Sequence, residues 1–141
     1  MMVRQAFSTL DVQAPAQGLF EIGDEVGRWV AGSGIRDGLL TLFCRHSSAS
    51  LLIQENAAPA ARRDLQAYFA RIAPEDPSVY THNDEGPDDM PAHLRAALTQ
   101  TLLSIPVQAG RMMLGTWQGI YLFEHRREPP PRQIVLHLTG E

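Results

Sequence analysis

The sequence predicts an α+β fold: a mostly antiparallel or mixed sheet system in a sandwich-like core, with about three helices. Three observations predict it. Runs of period-two alternation occur near the start, middle and end of the chain, three stretches show helical spacing between them, and a β-like pattern takes over from Leu102 onward. With 141 residues, no internal repeat, no low-complexity tail and no linker, residues 1–141 read as a single domain.

Ala6 to Val12 alternates, and Asp11 on the face of Phe7 and Thr9 makes it an outer strand. Ile22, Val26, Trp29 and Val30 recur at helical spacing until Gly32-Ser33-Gly34 stops the helix. Leu39 to His46 is apolar on both faces until its last two residues, as expected of a central strand that delivers Arg45 and His46 at its carboxyl end. Ser47, Ser48 and Ser50 lead into a second apolar run, Leu51 to Ile53. Small hydroxyl residues beside His46 let a backbone approach a ligand, although they are also ordinary turn chemistry.

Pro59 opens a second helix with Leu65, Phe69 and Ile72 as its buried stripe and Arg62 and Arg63 facing water. A third helix runs from about Pro91 to Thr99 and buries Leu94, Ala97 and Leu98. Leu102 to Val107, with Pro106 near its end, reads as an edge or bulged strand, and the turn at Gly110-Arg111 leads into Met112 to Leu114. Trp117, between Gly115 and Gly119, reads first as a core plug, with an inter-subunit anchor or a pocket wall as the alternatives. Ile120 to His125 alternates cleanly, and the proline-rich turn from Glu128 to Pro131 makes it a hairpin with a last strand from Gln133 to Leu138.

The segment from Tyr80 to His93 stands apart. It holds His82, His93, Glu85, Asp84, Asp88 and Asp89 and almost nothing that builds a core. A polar loop of this kind is costly to order unless its groups bind something. A helix beginning near Pro91, with an aspartate accepting its orphan amides, would present its N-terminus to an anion such as phosphate. The same imidazoles and carboxylates would suit a divalent metal, and a solvated acidic loop is the bland alternative. His46, His82, His93 and His125 all fall at element ends or in loops, which makes their convergence the working expectation, whereas His137 alternates within a strand and reads as structural.

Composition narrows the chemistry. All 12 basic residues are arginine, which excludes a lysine Schiff base and a lysine-containing P-loop. The net charge of −4 with scattered arginines gives nucleic-acid binding no support. A lone Cys44 leaves no internal disulfide or Cys-rich metal site, and no apolar run reaches the roughly 20 residues needed to span a bilayer. A cytoplasmic protein without a membrane partner is the expectation.

Three blocks, Arg45 to Asn56 (RHSSASLLIQEN), His82 to His93 (HNDEGPDDMPAH) and Gly110 to Arg126 (GRMMLGTWQGIYLFEHR), resemble the signature blocks of the YjbQ family. The resemblance implies sheets with helices on one side and a homotrimer with polar clefts near subunit boundaries. It also implies the family's label of secondary thiamine-phosphate synthase: hydroxymethylpyrimidine diphosphate is joined to a thiazole phosphate with release of pyrophosphate. On that reading His46, His82, His93, Glu85 and Asp89 are the catalytic candidates. Ser48, Arg111, Trp117 and Gln118 would bind a small phosphorylated metabolite, and His46, His82, His93 and His125 would hold a divalent metal, zinc or magnesium. Ala58 and Asn83 stand where the family often has aspartate, which would weaken any cation site using those positions. A trimer that binds a metal or phosphorylated metabolite without turnover is the alternative.

Overall fold

The computed structural model describes residues 2–141. Its strands are β1 (Arg4–Val12), β2 (Gly18–Glu21), β3 (Gly38–Cys44), β4 (Ala49–Glu55), β5 (Leu102–Gln108), β6 (Arg111–Met112), β7 (Gln118–Glu124) and β8 (Arg132–Gly140). The helices are α1 (Gly23–Gly32), α2 (Pro59–Ile72) and α3 (Asp89–Leu98), with a 3-10 turn at Pro77–Val79. The strands form a five-stranded sheet, β1-β8-β3-β5-β6, and a three-stranded sheet, β2-β7-β4, with every ladder antiparallel.

Alternation decides what lies between the sheets. Leu40, Leu42 and Cys44 of β3, Leu103 and Ile105 of β5, and Ile134, Leu136 and Leu138 of β8 face Leu51 of β4 and Ile120 and Leu122 of β7. Val26 and Val30 of α1 complete this core. Each such side chain contributes about 1.5–3 kcal/mol when fully buried. On the other face of the small sheet, Tyr121 and Phe123 of β7 pack with Leu19 and with Phe69 of α2. The small sheet is therefore a middle layer, with α2 and α3 outside it, and β7 is buried on both faces from Gly119 to Glu124.

The helices predicted on one side thus divide: α2 and α3 cover the small sheet, while α1 packs into the main core beside β6 and β7. The outer face of the five-stranded sheet is bare among the described residues and exposes Phe7, Leu39, Phe43 and Leu102. β3 is the central strand of that sheet, as predicted, but only one of its two apolar faces is covered.

The predicted hairpin is also corrected. β7 and β8 lie in different sheets, and β8 pairs with β1 and β3 instead. Pro129, Pro130 and Pro131 donate no ladder bonds, so the connection turns a corner between layers. A buried ion pair joins the two strands where they part: Arg132 at the start of β8 donates from Nε and Nη2 to Glu124 Oε1 and Oε2, at 2.7 and 2.5 Å.

Three smaller expectations change. Trp117 is 63% exposed and plugs no core. In α3 the buried residues are Asp89, Pro91, Ala92, Arg95 and Ala96, whereas Ala97 and Leu98 face out. Ile72 of α2 is exposed as well, because the chain leaves the sheet there and Ala73 takes the buried position.

Candidate functional site

The loop from Tyr80 to Asp88 is ordered by its own polar groups. Tyr80 donates its hydroxyl to Pro74 O at 2.8 Å, and the Asn83 side-chain amide donates to Tyr80 O at 2.9 Å and Pro77 O at 3.2 Å. Asn83 is thus a donor that pins the loop, a role aspartate cannot fill. Gly86 supplies the positive φ of 102° that turns the chain toward α3. The helix starts at Asp89, two residues before the predicted Pro91, and Asp88 does not cap it with its side chain. Asp88 Oδ2 instead accepts from Arg126 Nε and the Arg127 amide, both at 3.0 Å. Burial pushes the Asp88 carboxyl up, but these hydrogen bonds and the Arg126 charge outweigh it and hold the carboxyl below its usual range.

Asp89 and His93, four residues apart on α3, meet His82 from the loop. Asp89 Oδ2 lies 2.8 Å from His82 Nε2 and 3.1 Å from His93 Nε2. Asp89 Oδ1 accepts from Arg126 Nη1 at 2.6 Å, and Arg126 Nη2 reaches Glu85 O at 3.0 Å. The carboxylate is almost wholly buried, whereas His82 opens to solvent. On the other side of His93, Nδ1 donates to Ser47 O at 2.9 Å.

One ligand atom from each of His82, Asp89 and His93 lies within 4.8 Å of the others. Zinc bonds of about 2.0–2.2 Å place tetrahedral donors about 3.4 Å apart, so little movement separates this arrangement from a three-ligand metal centre with an open fourth position. The Ser47 carbonyl is the kind of outer partner that fixes the tautomer of a metal-binding histidine. The residues present fit a divalent ion.

The other candidates fall elsewhere. His46 Nε2 accepts the Gln133 amide at 2.8 Å; burial, with the Arg132 charge, holds its pKa down, so the ring is neutral and that nitrogen is occupied. His125 is fully buried beside Ser50, whose Oγ lies 2.9 Å from its Nε2, and is not among the three residues whose ligand atoms converge. Ser48 contributes its carbonyl, which accepts from Arg132 Nη2 at 3.1 Å. Glu85 is exposed and contributes its carbonyl to Arg126.

Trp117 and Gln118 stand at the start of β7, and His125 and Arg126 follow its other end, about 20 Å away for a seven-residue strand. Arg111 pairs with Gln108 at the end of β5 remote from Leu102 and Phe43. Within the chain these three residues do not join the histidine cluster. Sequence reasoning passed over Arg126 as a site residue. Its neighbour His125 drew attention as a possible ligand, yet Arg126 braces both aspartates. Burial pushes the Cys44 thiol up to about 11, which removes it as a nucleophile.

A model of the family described as UPF0047 protein YjbQ-like matches residues 8–141. The chain belongs to this family. Among its YjbQ-like relatives, a UPF0047 protein of Synechocystis is 46% identical over 98% of this chain and 94% of its own length. UPF0047 protein YjbQ of Salmonella typhimurium is 40% identical over 94% of this chain and 96% of its own. A YbjQ-like protein of unknown function from Sulfolobus solfataricus superposes with a TM-score of 0.90 at 28% identity, covering 99% of this chain and 100% of that one. A YjbQ/UPF0047 family protein from Clostridium acetobutylicum gives 0.80 at 30% identity, covering 94% and 98%. The α+β arrangement of two antiparallel sheets and three helices is thus the family fold.

Proposed function

We propose that this YjbQ-like chain is a phosphate-handling enzyme in which His82, Asp89 and His93 hold a divalent metal. Two imidazole nitrogens among three donors favour zinc over magnesium. One observation carries the reading. His93 faces an acceptor on each ring nitrogen, Ser47 O at Nδ1 and Asp89 Oδ2 at Nε2. A neutral imidazole has one N–H, so the ring needs either a second proton or a cation at Nε2.

Such an ion, once bound, supplies positive charge and Lewis acidity to phosphate oxygens. Arg126 keeps the Asp89 carboxylate aimed at the cluster, Ser47 O holds the His93 ring, and the more exposed His82 marks the side from which a phosphate would approach. The reaction proposed with this site is the weak thiamine-phosphate synthase activity of the family label. A carbon–oxygen bond to the diphosphate breaks, a carbon–nitrogen bond to the thiazole forms, and pyrophosphate leaves with its charge neutralised. A non-catalytic binding protein for a metal or phosphorylated metabolite is the second reading, favoured by the separation of Arg111 and Trp117 from the cluster. Assembly as a homotrimer is supported by the bare apolar face of the five-stranded sheet, and a reducing, cytoplasmic setting by the free, buried Cys44.

Elemental analysis of untagged wild type, His82→Ala, Asp89→Asn and His93→Ala tests the site. Near-stoichiometric metal in wild type and its loss in all three variants is the expected result. No metal in wild type, even after incubation with zinc, magnesium or manganese, would refute it. Single-turnover assays of the metal-loaded protein then separate enzyme from binder.

A further inference from the structure

A second polar feature lies apart from the histidine cluster. Between α2 and the ends of β2 and β7 is an open cleft of about 510 Å³, lined by none of His82, Asp89 and His93. That volume suits a small organic ligand. Phe69 and Phe123 form part of an apolar wall, and Arg63, Arg95, Arg127, Glu75 and Glu124 supply the charge.

The charges do not cancel within the protein. Glu124 is paired with Arg132, and Glu75 with Arg127 and the Gln17 amide. Among the described residues, neither Arg63 nor Arg95 has a carboxylate at ion-pairing distance. Arg95 is only 8% exposed; its Nη2 donates to Ala73 O at 2.9 Å, and its buried Nε has no acceptor at all. A guanidinium carries five donors and keeps its charge, and buried polar groups in native structures are normally paired. Arg95 thus stands on the cleft wall with Nη2 committed to a carbonyl and no carboxylate in an ion pair with it, which leaves its charge to meet an anion in the cleft.

We infer that this cleft binds a small organic oxyanion, its carboxylate or phosphate against Arg95 and Arg63 and its apolar body against Phe69 and Phe123. Two guanidiniums without an ion pair suit one or two negative charges, and a pair of oxygens on a carboxylate or phosphate matches the arginine fork. The site is independent of the metal reading, so either can fail alone.

Calorimetric titration of the full chain in the presence of EDTA, which removes any metal-bound phosphate from the reading, with benzoate, phenyl phosphate and the uncharged benzyl alcohol tests it, in wild type, Arg95→Gln, Ala67→Trp and His82→Ala. Ala67 is an exposed α2 residue on the cleft wall, so tryptophan fills the space without entering the core. The expected result is saturable binding of benzoate or phenyl phosphate, but not benzyl alcohol, to wild type and His82→Ala alike, weakened at least about tenfold in Arg95→Gln and Ala67→Trp. The preferred anion identifies the head group. Absence of saturable binding of either anion to folded wild type would overturn the inference, as would undiminished binding in Ala67→Trp or loss of binding in His82→Ala. Should Arg95→Gln fail to fold, Ala67→Trp decides.

Discussion

Acid should destabilise this protein through His125, and the size of the effect follows from where β7 places the ring. His125 is fully buried, its Nε2 bonds only to Ser50 Oγ, and its Nδ1 has no partner. Burial, aided by the charges of Arg95 and Arg132, lowers its pKa from 6.5 to about 3. The unfolded chain therefore takes up a proton as the pH falls through 6.5, while the native state refuses one until about 3. Stability from this group is full above the unfolded value and is lost as the pH drops toward the folded one. Between about pH 7 and about pH 5 the loss is about 2 kcal/mol. Urea denaturation at both pH values, for wild type and His125→Gln, isolates it. Glutamine keeps a hydrogen bond within reach of Ser50 but does not titrate, and all other groups are common to both proteins. Wild type should lose about 2 kcal/mol more than the variant over this interval. Equal pH dependence would refute the reasoning, and with it the neutral state of the buried ring.

Three further outcomes follow from side-chain geometry. Arg132→Met leaves Glu124 buried without its bidentate partner and should cost about 3–5 kcal/mol in urea denaturation, while the pair Glu124→Leu, Arg132→Met recovers most of it; a milder single variant would contradict the pairing. Arg126→Ala removes donors to Asp88, Asp89 and Glu85 O, so it should cost about 2 kcal/mol and speed amide exchange from Tyr80 to Asp88; unchanged exchange would show that the loop is held otherwise. If the proposed trimer closes on the bare face of the five-stranded sheet, Phe43→Glu charges that face and should lower the mass measured by light scattering, whereas an unchanged mass would refute that use of the face.

Much of the architecture is legible in the chain itself. Period-two alternation in Ala6 to Val12 and in Ile120 to His125, helical spacing from Ile22 to Val30, and Pro59 at the head of α2 each report local backbone geometry, which neighbouring residues dictate. The polar run from Tyr80 to His93 likewise announces itself, and Asp89 and His93 at helical spacing share a face wherever the helix packs. Strand partnership is not local. Ile120 to His125 looks like half of a hairpin, yet β7 pairs with β2 and β4 because only the middle layer buries both of its apolar faces. The same placement turns His125 from a candidate ligand into a buried neutral ring. It also exposes Trp117 at the opposite strand end and carries Arg126 to the two aspartates. Sequence alone determined the element types, the family blocks and the ligand-rich loop. Tertiary structure decided which histidines meet, because that depends on which layer buries each strand, and burial is a property of the whole chain.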